Sequence, residues 1–264
     1  MGWLAAVPLT LLGLPAHQVS LTGTVLSFVL FLLVMPRWAV MRWSATRPWT
    51  ALGVSNKGWS NRPTPATGLL RGLLIAIGLL ALITCIALIG GWGRWIGHVT
   101  FSHMLNAAIL CLGVGFAEEL IFRSWLFEEL NQFIGSRHGS VGQAILFSLV
   151  HTRFNLGLAP MSGLLVGLFL LGMVLAKRRQ ADWGCLWGCV GLHGGLVAGW
   201  FLLQNGLLEL SSQSPAWLIG PGDSHTNPLG GVVAIGTLVL LLILQAGDSK
   251  KTIHNSFGRS KNDP

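Results

Sequence analysis

Apolar runs close to the length of a bilayer crossing recur along the chain, near residues 20–36, 66–90, 104–131, 140–158, 160–176, 184–205 and 229–246. A bilayer core takes about 20 apolar residues of helix, and only helices or closed barrels satisfy their backbone groups in lipid. The pattern therefore predicts an all-α, polytopic transmembrane bundle of seven spans. The opening residues 1–17 are also apolar but contain Pro8 and Pro15, and they lack the basic start and small-residue cleavage pattern of a signal peptide. They read as an interfacial or short spanning segment, which would make eight. With 52% hydrophobic and 10% charged residues and a mean hydropathy of +0.64, the 264-residue chain has room for one membrane domain and no polar block large enough for a second. The segment 247–264 reads as a disordered, basic tail.

Charge gives the spans a register. The loop from Pro36 to Gly68 carries Arg37, Arg42, Arg47, Lys57 and Arg62, and alternation of spans brings Arg137, the Lys177-Arg178-Arg179 cluster and the tail lysines Lys250 and Lys251 to the same side. Arg94, Arg153, Glu209 and Asp223 fall on the other. By the positive-inside rule the basic side is cytoplasmic. The net charge of +8 is thus accounted for by orientation in the bilayer, and nucleic acid is not an expected partner. The cysteines Cys85, Cys111, Cys185 and Cys189 all lie in apolar runs and read as small buried residues. Trp38, Trp43, Trp49, Trp59, Trp92 and Trp95 lie near run ends, as interfacial anchors do.

Against this background "LGVGFAEELIFRSWLFEEL", Leu112 to Leu130, is anomalous: two adjacent glutamates and an arginine inside an apolar run. Intramembrane ionisable groups cost several kcal/mol on insertion scales, about 3 each, and mark function by default. Glu119 and Arg123 are four apart and can neutralise each other on one helix face. Glu118 is turned roughly 100° away and has no such partner. Glu118 lies about 13 residues from the basic end of its span, His151 about 11 and His193 about 9, so three helices bring them to similar depth at roughly 1.5 Å per residue. Core packing alone would also accommodate either histidine, with one ring nitrogen bonded to a carbonyl. Phe147, one turn before His151, reads as a packing residue, and Gly191, Gly195 and Gly199 as a close-packing face. Cys185, Cys189 and His193, also four apart, form a rival set of zinc-ligand types, but on one helix their donors do not converge. The other histidines lie at run ends or in loops.

"EELIFR", "FSLVH" and "HGGLV" resemble the ordered motifs EExxxR, FxxxH and HxxxN of intramembrane proteases related to the CAAX-prenyl endopeptidase, a group that includes bacteriocin-processing and immunity proteins. The resemblance covers a motif core at 104–205. It implies a helical fold with a cytoplasm-facing intramembrane cavity, an endopeptidase activity on a peptide or membrane-associated protein substrate, and Glu118, Glu119, Arg123, His151 and His193 as catalytic residues. Glu118 with His151 would activate water, and His193 would hold the oxyanion. The same side chains, Glu118, His151 and His193, could instead ligate zinc, and the sequence leaves metal-dependent and metal-free chemistry both open. Val197 stands where the third motif has Asn, which removes one oxyanion donor; Asn155 or backbone exposed at Gly194 and Gly195 are candidate replacements. A non-catalytic immunity or scaffold protein is the alternative function, and a proton-coupled transporter using Glu118 a third, disfavoured by the lack of repeated halves.

Overall fold

The computed structural model describes residues 15–58, 62–152, 154–211, 213–220 and 226–259. Residues 1–14 of the opening segment, Arg153, Asp223 and the last five tail residues lie outside them. By its contacts the chain divides into two compact units, Met1–Lys57 and Gly58–Pro264.

In the first unit, α1 (Ala16–Trp43) starts after Pro15 and ends at Ser44, which takes the left-handed conformation at φ 51°. Its hydroxyls of Thr22, Thr24 and Ser27 donate to carbonyls four residues back at 2.8, 3.0 and 2.7 Å, which keeps polar side chains paired along an apolar helix. A single turn, α2 (Pro48–Ala51), follows, and Arg47 donates to the Lys57 carbonyl at 3.3 Å.

The second unit carries the motifs. Thr64 caps α3 (Pro65–Ile89) by accepting from the Thr67 amide, with Pro65 in the first turn, where its missing N–H costs nothing. A three-residue strand β1 (Gly93–Trp95) leads to α4 (Phe101–Ile109), opened by a reciprocal cap between Thr100 and His103. A π-helical turn (Leu110–Val114), α5 (Gly115–Glu119) and a second π-helical stretch (Leu120–Leu126) continue into α6 (Phe127–His151). Then come α7 (Leu158–Ala181), α8 (Trp187–Leu202), a third π-helical turn (Leu203–Leu207), β2 (Leu208–Leu210) and a short α9 (Ala216–Ile219). A 3-10 turn (Pro228–Gly230) precedes α10 (Val232–Arg259).

Four of these segments are long and apolar enough to cross a membrane: Gln18–Trp43, Pro65–Ile89, Phe101–His151 and Leu158–Ala181, with Val232–Gln245 a shorter apolar helix. The protein is an integral membrane protein, with fewer such helices than the seven or eight spans read from hydropathy. The difference has three local causes. The runs at 104–131 and 140–158 fall within the one long apolar segment Phe101–His151, but two helices meet there, divided at Gly135, whose φ of 80° and ψ of 157° are not helical. Its end is His151 rather than residue 158, since Thr152 turns extended. The run at 184–205 is divided between a 16-residue α-helix and a π-helical turn. The helix α10 also continues through much of the predicted tail, as far as Arg259.

Contacts define two ends of this unit. At one, Arg62 Nε donates to the Trp183 carbonyl at 2.7 Å and Gln180 Nε2 to Ser140 Oγ at 3.2 Å. This gathers the Arg62, Arg137 and Lys177–Arg179 segments, as the charge pattern predicts. At the other, β1 pairs antiparallel with β2, Arg94 opposite Glu209, and their side chains meet at 2.6 Å. That hydrogen bond, and the carboxylate charge with it, raises the Arg94 pKa above its ordinary value. The 3-10 turn belongs to this end too, its Leu229 and Gly230 carbonyls lying against Gly167 and Gly163 of α7.

Between the ends, α3 and α8 run side by side, because glycines let their backbones touch. A Cβ on Gly191 would strike the Leu69 carbonyl, and one on Gly195 or Gly199 would meet Ala76 and Leu73, or Leu80. The Gly191–Gly195–Gly199 stripe is therefore a packing face, as its spacing predicts. Gly194, on the adjoining face, admits the Cys111 carbonyl in the same way, which sets α8 against the π-helical turn before the glutamates.

Candidate active site

The site forms where α5, α6 and α8 meet. Glu118 and Glu119 are consecutive on α5 and point into different surroundings. Glu119 is fully buried and its Oε1 accepts from Arg123 Nη1 at 2.9 Å, with Arg123 equally buried. The same oxygen lies 2.7 Å from His193 Nδ1. The Arg123 guanidinium carbon sits 4.0 Å from the centre of the Phe147 ring, a cation–π stack that compensates part of its desolvation. One further contact holds this arginine: Arg179, from the end of α7, donates to the Arg123 carbonyl. Among the described residues Glu119 Oε2 and Arg123 Nε and Nη2 have no hydrogen-bond partner.

Glu118 turns the other way, its side chain 26% exposed. Its Oε2 is 3.0 Å from His151 Nε2 and 3.7 Å from His193 Nε2. His151 Nδ1 lies 2.8 Å from the Phe147 carbonyl. A backbone carbonyl only accepts, so Nδ1 carries a proton and Nε2 is the atom offered to Glu118. Likewise Glu119 Oε1, which accepts from Arg123, also faces His193 Nδ1 and so turns His193 Nε2 towards Glu118. The 3.0 Å contact then needs one shared proton, on Glu118 or on His151 Nε2. Phe147 packs against all of this, 4.3 Å from the His151 ring, and edge-on to His193 at 5.5 Å.

Glu118, His151 and His193 line a cavity of about 510 Å³. Its walls are mostly apolar, from Leu79, Leu80 and Ile83 of α3 to Leu168 and Leu171 of α7 and Leu238 of α10, and Val197 is one of them. Gln204, Asn205, Thr226 and Asn227 line its far part, and these polar residues went unnoticed in the sequence because nothing local separates them from ordinary loop residues. Gln204 Nε2 donates to Thr226 Oγ1 at 2.8 Å.

All five residues singled out by sequence thus come together, while the groups considered in place of the missing Asn do not join them. Asn155 is exposed and is not among the cavity-lining residues, and the Gly194 and Gly195 faces are filled by Cys111, Ala76 and Leu73, so neither supplies a group in place of the missing Asn. Cys185 and Cys189 are buried apart from the cavity, with Cys189 Sγ donating to the Leu175 carbonyl at 3.2 Å. Among the described residues no group of three His, Cys, Asp or Glu side chains is arranged to hold a metal ion. Glu118 Oε2 and His151 Nε2 are instead joined at hydrogen-bond distance, 3.0 Å, with His193 Nε2 3.7 Å from the same oxygen.

A family model described as type II CAAX prenyl endopeptidase Rce1-like matches residues 99–199, a span holding all three motifs. A domain of unknown function (DUF8676) matches residues 1–47. No curated protein and no solved structure matches. The family match bears out the resemblance to CAAX-protease-related membrane proteins, and supports a protease role at the level of the family.

Proposed function

We propose that the protein is an intramembrane endopeptidase in which Glu118, ionised while His151 holds the shared proton, takes a proton from water. The observation that carries this reading is the placement of Glu118 Oε2 3.0 Å from His151 Nε2, on the wall of an apolar cavity. The water oxygen attacks the carbonyl carbon of a peptide bond and its proton passes to Glu118. Negative charge on the carbonyl oxygen is met at Nε2 of His193, which donates when the ring carries its second proton, while the Glu119 carboxylate fixes the ring through Nδ1. The C–N bond breaks as the leaving nitrogen takes the proton from Glu118. Positioned donors of the His193 type are worth about 10²–10³ in rate. Glu119 and Arg123 act on this chemistry through His193, and no step calls on a metal.

The apolar walls suit an apolar peptide segment or a membrane-associated protein, with the bilayer as the other partner. Seven crossings with the basic segments cytoplasmic complete the proposal. A second reading, an immunity or scaffold protein with a silent site, is favoured by Val197 on the cavity wall. Purified protein in nanodiscs should cleave members of a quenched fluorescent peptide library and lose that cleavage in Glu118→Gln. Equal inertness of both would favour the scaffold.

A further inference from the structure

The Glu118 cavity has two chemically different ends. Among the described residues, its acidic and imidazole side chains, Glu118, His151 and His193, all stand at one of them. From there α8 and the π-helical turn after it follow the cavity with one face, since His193, Val197, Trp200 and Gln204 all line it at the four- and three-residue steps of a single helix side. The stretch between is apolar, walled by Leu196 and Val197 with Leu79 and Leu80 of α3 and Leu168 and Leu171 of α7. At Gln204, Thr226 and Asn227 the wall turns polar again, and no charged residue lies among them.

This far end is held in place. Trp200 Nε1 donates to the Thr226 carbonyl at 2.8 Å. Gln204 Nε2 donates to the same carbonyl at 3.1 Å and to Thr226 Oγ1 at 2.8 Å. Asn227 Oδ1 accepts from the Leu229 amide at 3.1 Å and so caps the 3-10 turn. These bonds use the donor half of the Gln204 amide and the acceptor half of the Asn227 amide. An acceptor, Gln204 Oε1, and a donor, Asn227 Nδ2, are left without a hydrogen bond among the described residues, on half-buried side chains of the cavity wall. One acceptor and one donor match the two halves of a carboxamide. A charged group would lose hydration there and meet no opposite charge, and an apolar one would leave both amide halves unpaired.

We propose that the far end is a specificity subsite, which takes the carboxamide side chain of an Asn or Gln in the peptide substrate. Gln204 follows His193 by eleven residues, about 16 Å of helix at 1.5 Å per residue. Extended chain covers that distance in about five residues, at roughly 3.3 Å each. The substrate class is therefore an extended peptide whose apolar residues cross the middle of the cavity and whose Asn or Gln lies about five residues from the scissile bond. The scissile bond rests on the endopeptidase reading, whereas recognition of the carboxamide does not.

The test uses the full-length protein in nanodiscs and fluorescent Ala/Leu peptides carrying a single variable residue, Gln, Leu, Glu or Lys. Binding to the Glu118→Gln variant is followed by anisotropy against empty nanodiscs, so that no cleavage is needed. The Gln peptide should bind about tenfold more tightly than the other three, the worth of one or two hydrogen bonds. Asn227→Asp keeps an acceptor for the Leu229 amide and puts a carboxylate in place of the free donor, so the preference should pass from Gln to Lys. With wild type, mass spectrometry should find the cut about five residues from the Gln, moving with it when the Gln is shifted along the peptide. Equal affinity for all four peptides, binding of none, or an Asn227→Asp variant that still prefers Gln would each overturn the subsite; should that variant not fold, the peptide series decides alone. Cleavage at positions indifferent to the Gln would overturn the subsite and leave the endopeptidase reading standing. A Gln preference in binding with no cleavage by wild type would keep the subsite and sink the endopeptidase reading.

Discussion

Arg123→Met should be among the most damaging single substitutions in the protein, and the reason is the carboxylate it would leave behind. Glu119 has no exposure to solvent, and its Oε1 is served by Arg123 Nη1 and His193 Nδ1. Removing one partner of a buried ion pair costs about 3–5 kcal/mol, because the other charge is stranded. The lost stack of Arg123 on Phe147 adds about 1 kcal/mol. Methionine fills much of the arginine's volume, so a cavity contributes little. In the double variant Glu119→Gln/Arg123→Met the stranded charge is gone, and the glutamine carbonyl can still accept from His193 Nδ1. The double variant should therefore recover most of the 3–5 kcal/mol attached to the unpaired carboxylate, while lacking the stack, about 1 kcal/mol.

The assay is thermal unfolding in detergent followed by intrinsic fluorescence, which the 12 tryptophans make sensitive. Wild type, both single variants and the double variant close a thermodynamic cycle, and the coupling should be large and favourable to the pair. A double variant no more stable than Arg123→Met would show that the cost lies elsewhere, for example in the Arg179 contact to the Arg123 carbonyl, and the account of Glu119 as a stranded charge would fail.

Val197→Asn should raise turnover, by up to about 10² if the amide reaches the oxyanion, and Asn155→Ala should leave it unchanged; kcat on one cleaved peptide tests both. Gly191→Ala should destabilise by about 1–3 kcal/mol, since its Cβ meets the Leu69 carbonyl between two packed helices; wild-type stability in the same unfolding assay would contradict the packing argument. Cleavage should be indifferent to a strong chelator, because the Glu118–His151 pair works through a shared proton; loss of activity on chelation, restored by added zinc, would overturn the metal-free mechanism.

Much of this could be read before the fold was known, and particular residues show why. The Glu119–Arg123 contact is local, set by four-residue spacing, and the sequence predicts it. The meeting of Glu118 with His151 follows from depth, a quantity hydropathy supplies. The bond between Glu119 and His193 could not be read, as it depends on how α8 rotates, and that rotation is fixed by Gly191 and Gly194 meeting backbone on two different neighbours. Arg179 reads as one more loop cation, yet it is 4% exposed and holds a carbonyl within a π-helical stretch. Such stretches shift the hydrogen-bond register without changing composition, so the three here left no mark in the hydropathy. The β1–β2 pair, at three residues a strand, is too short for an alternating pattern to register.

The adjacency of the two glutamates answers the question their presence raises. Each residue of a helix is turned about 100° from the last, so neighbouring carboxylates cannot share a partner set. At this junction the difference separates a cavity wall from a packed interior. Glu119, on the inner side, is spent on neutralising Arg123 and on fixing the His193 ring. Glu118, on the cavity side, faces the Nε2 atoms of two histidines whose Nδ1 atoms are already engaged, one by Glu119 and one by the Phe147 carbonyl. Moving either glutamate by one position would swap these surroundings, putting an unpaired charge in the core or removing the carboxylate from the cavity. The pair is therefore one device with two halves, in which the buried carboxylate orients the imidazole that the exposed one works beside.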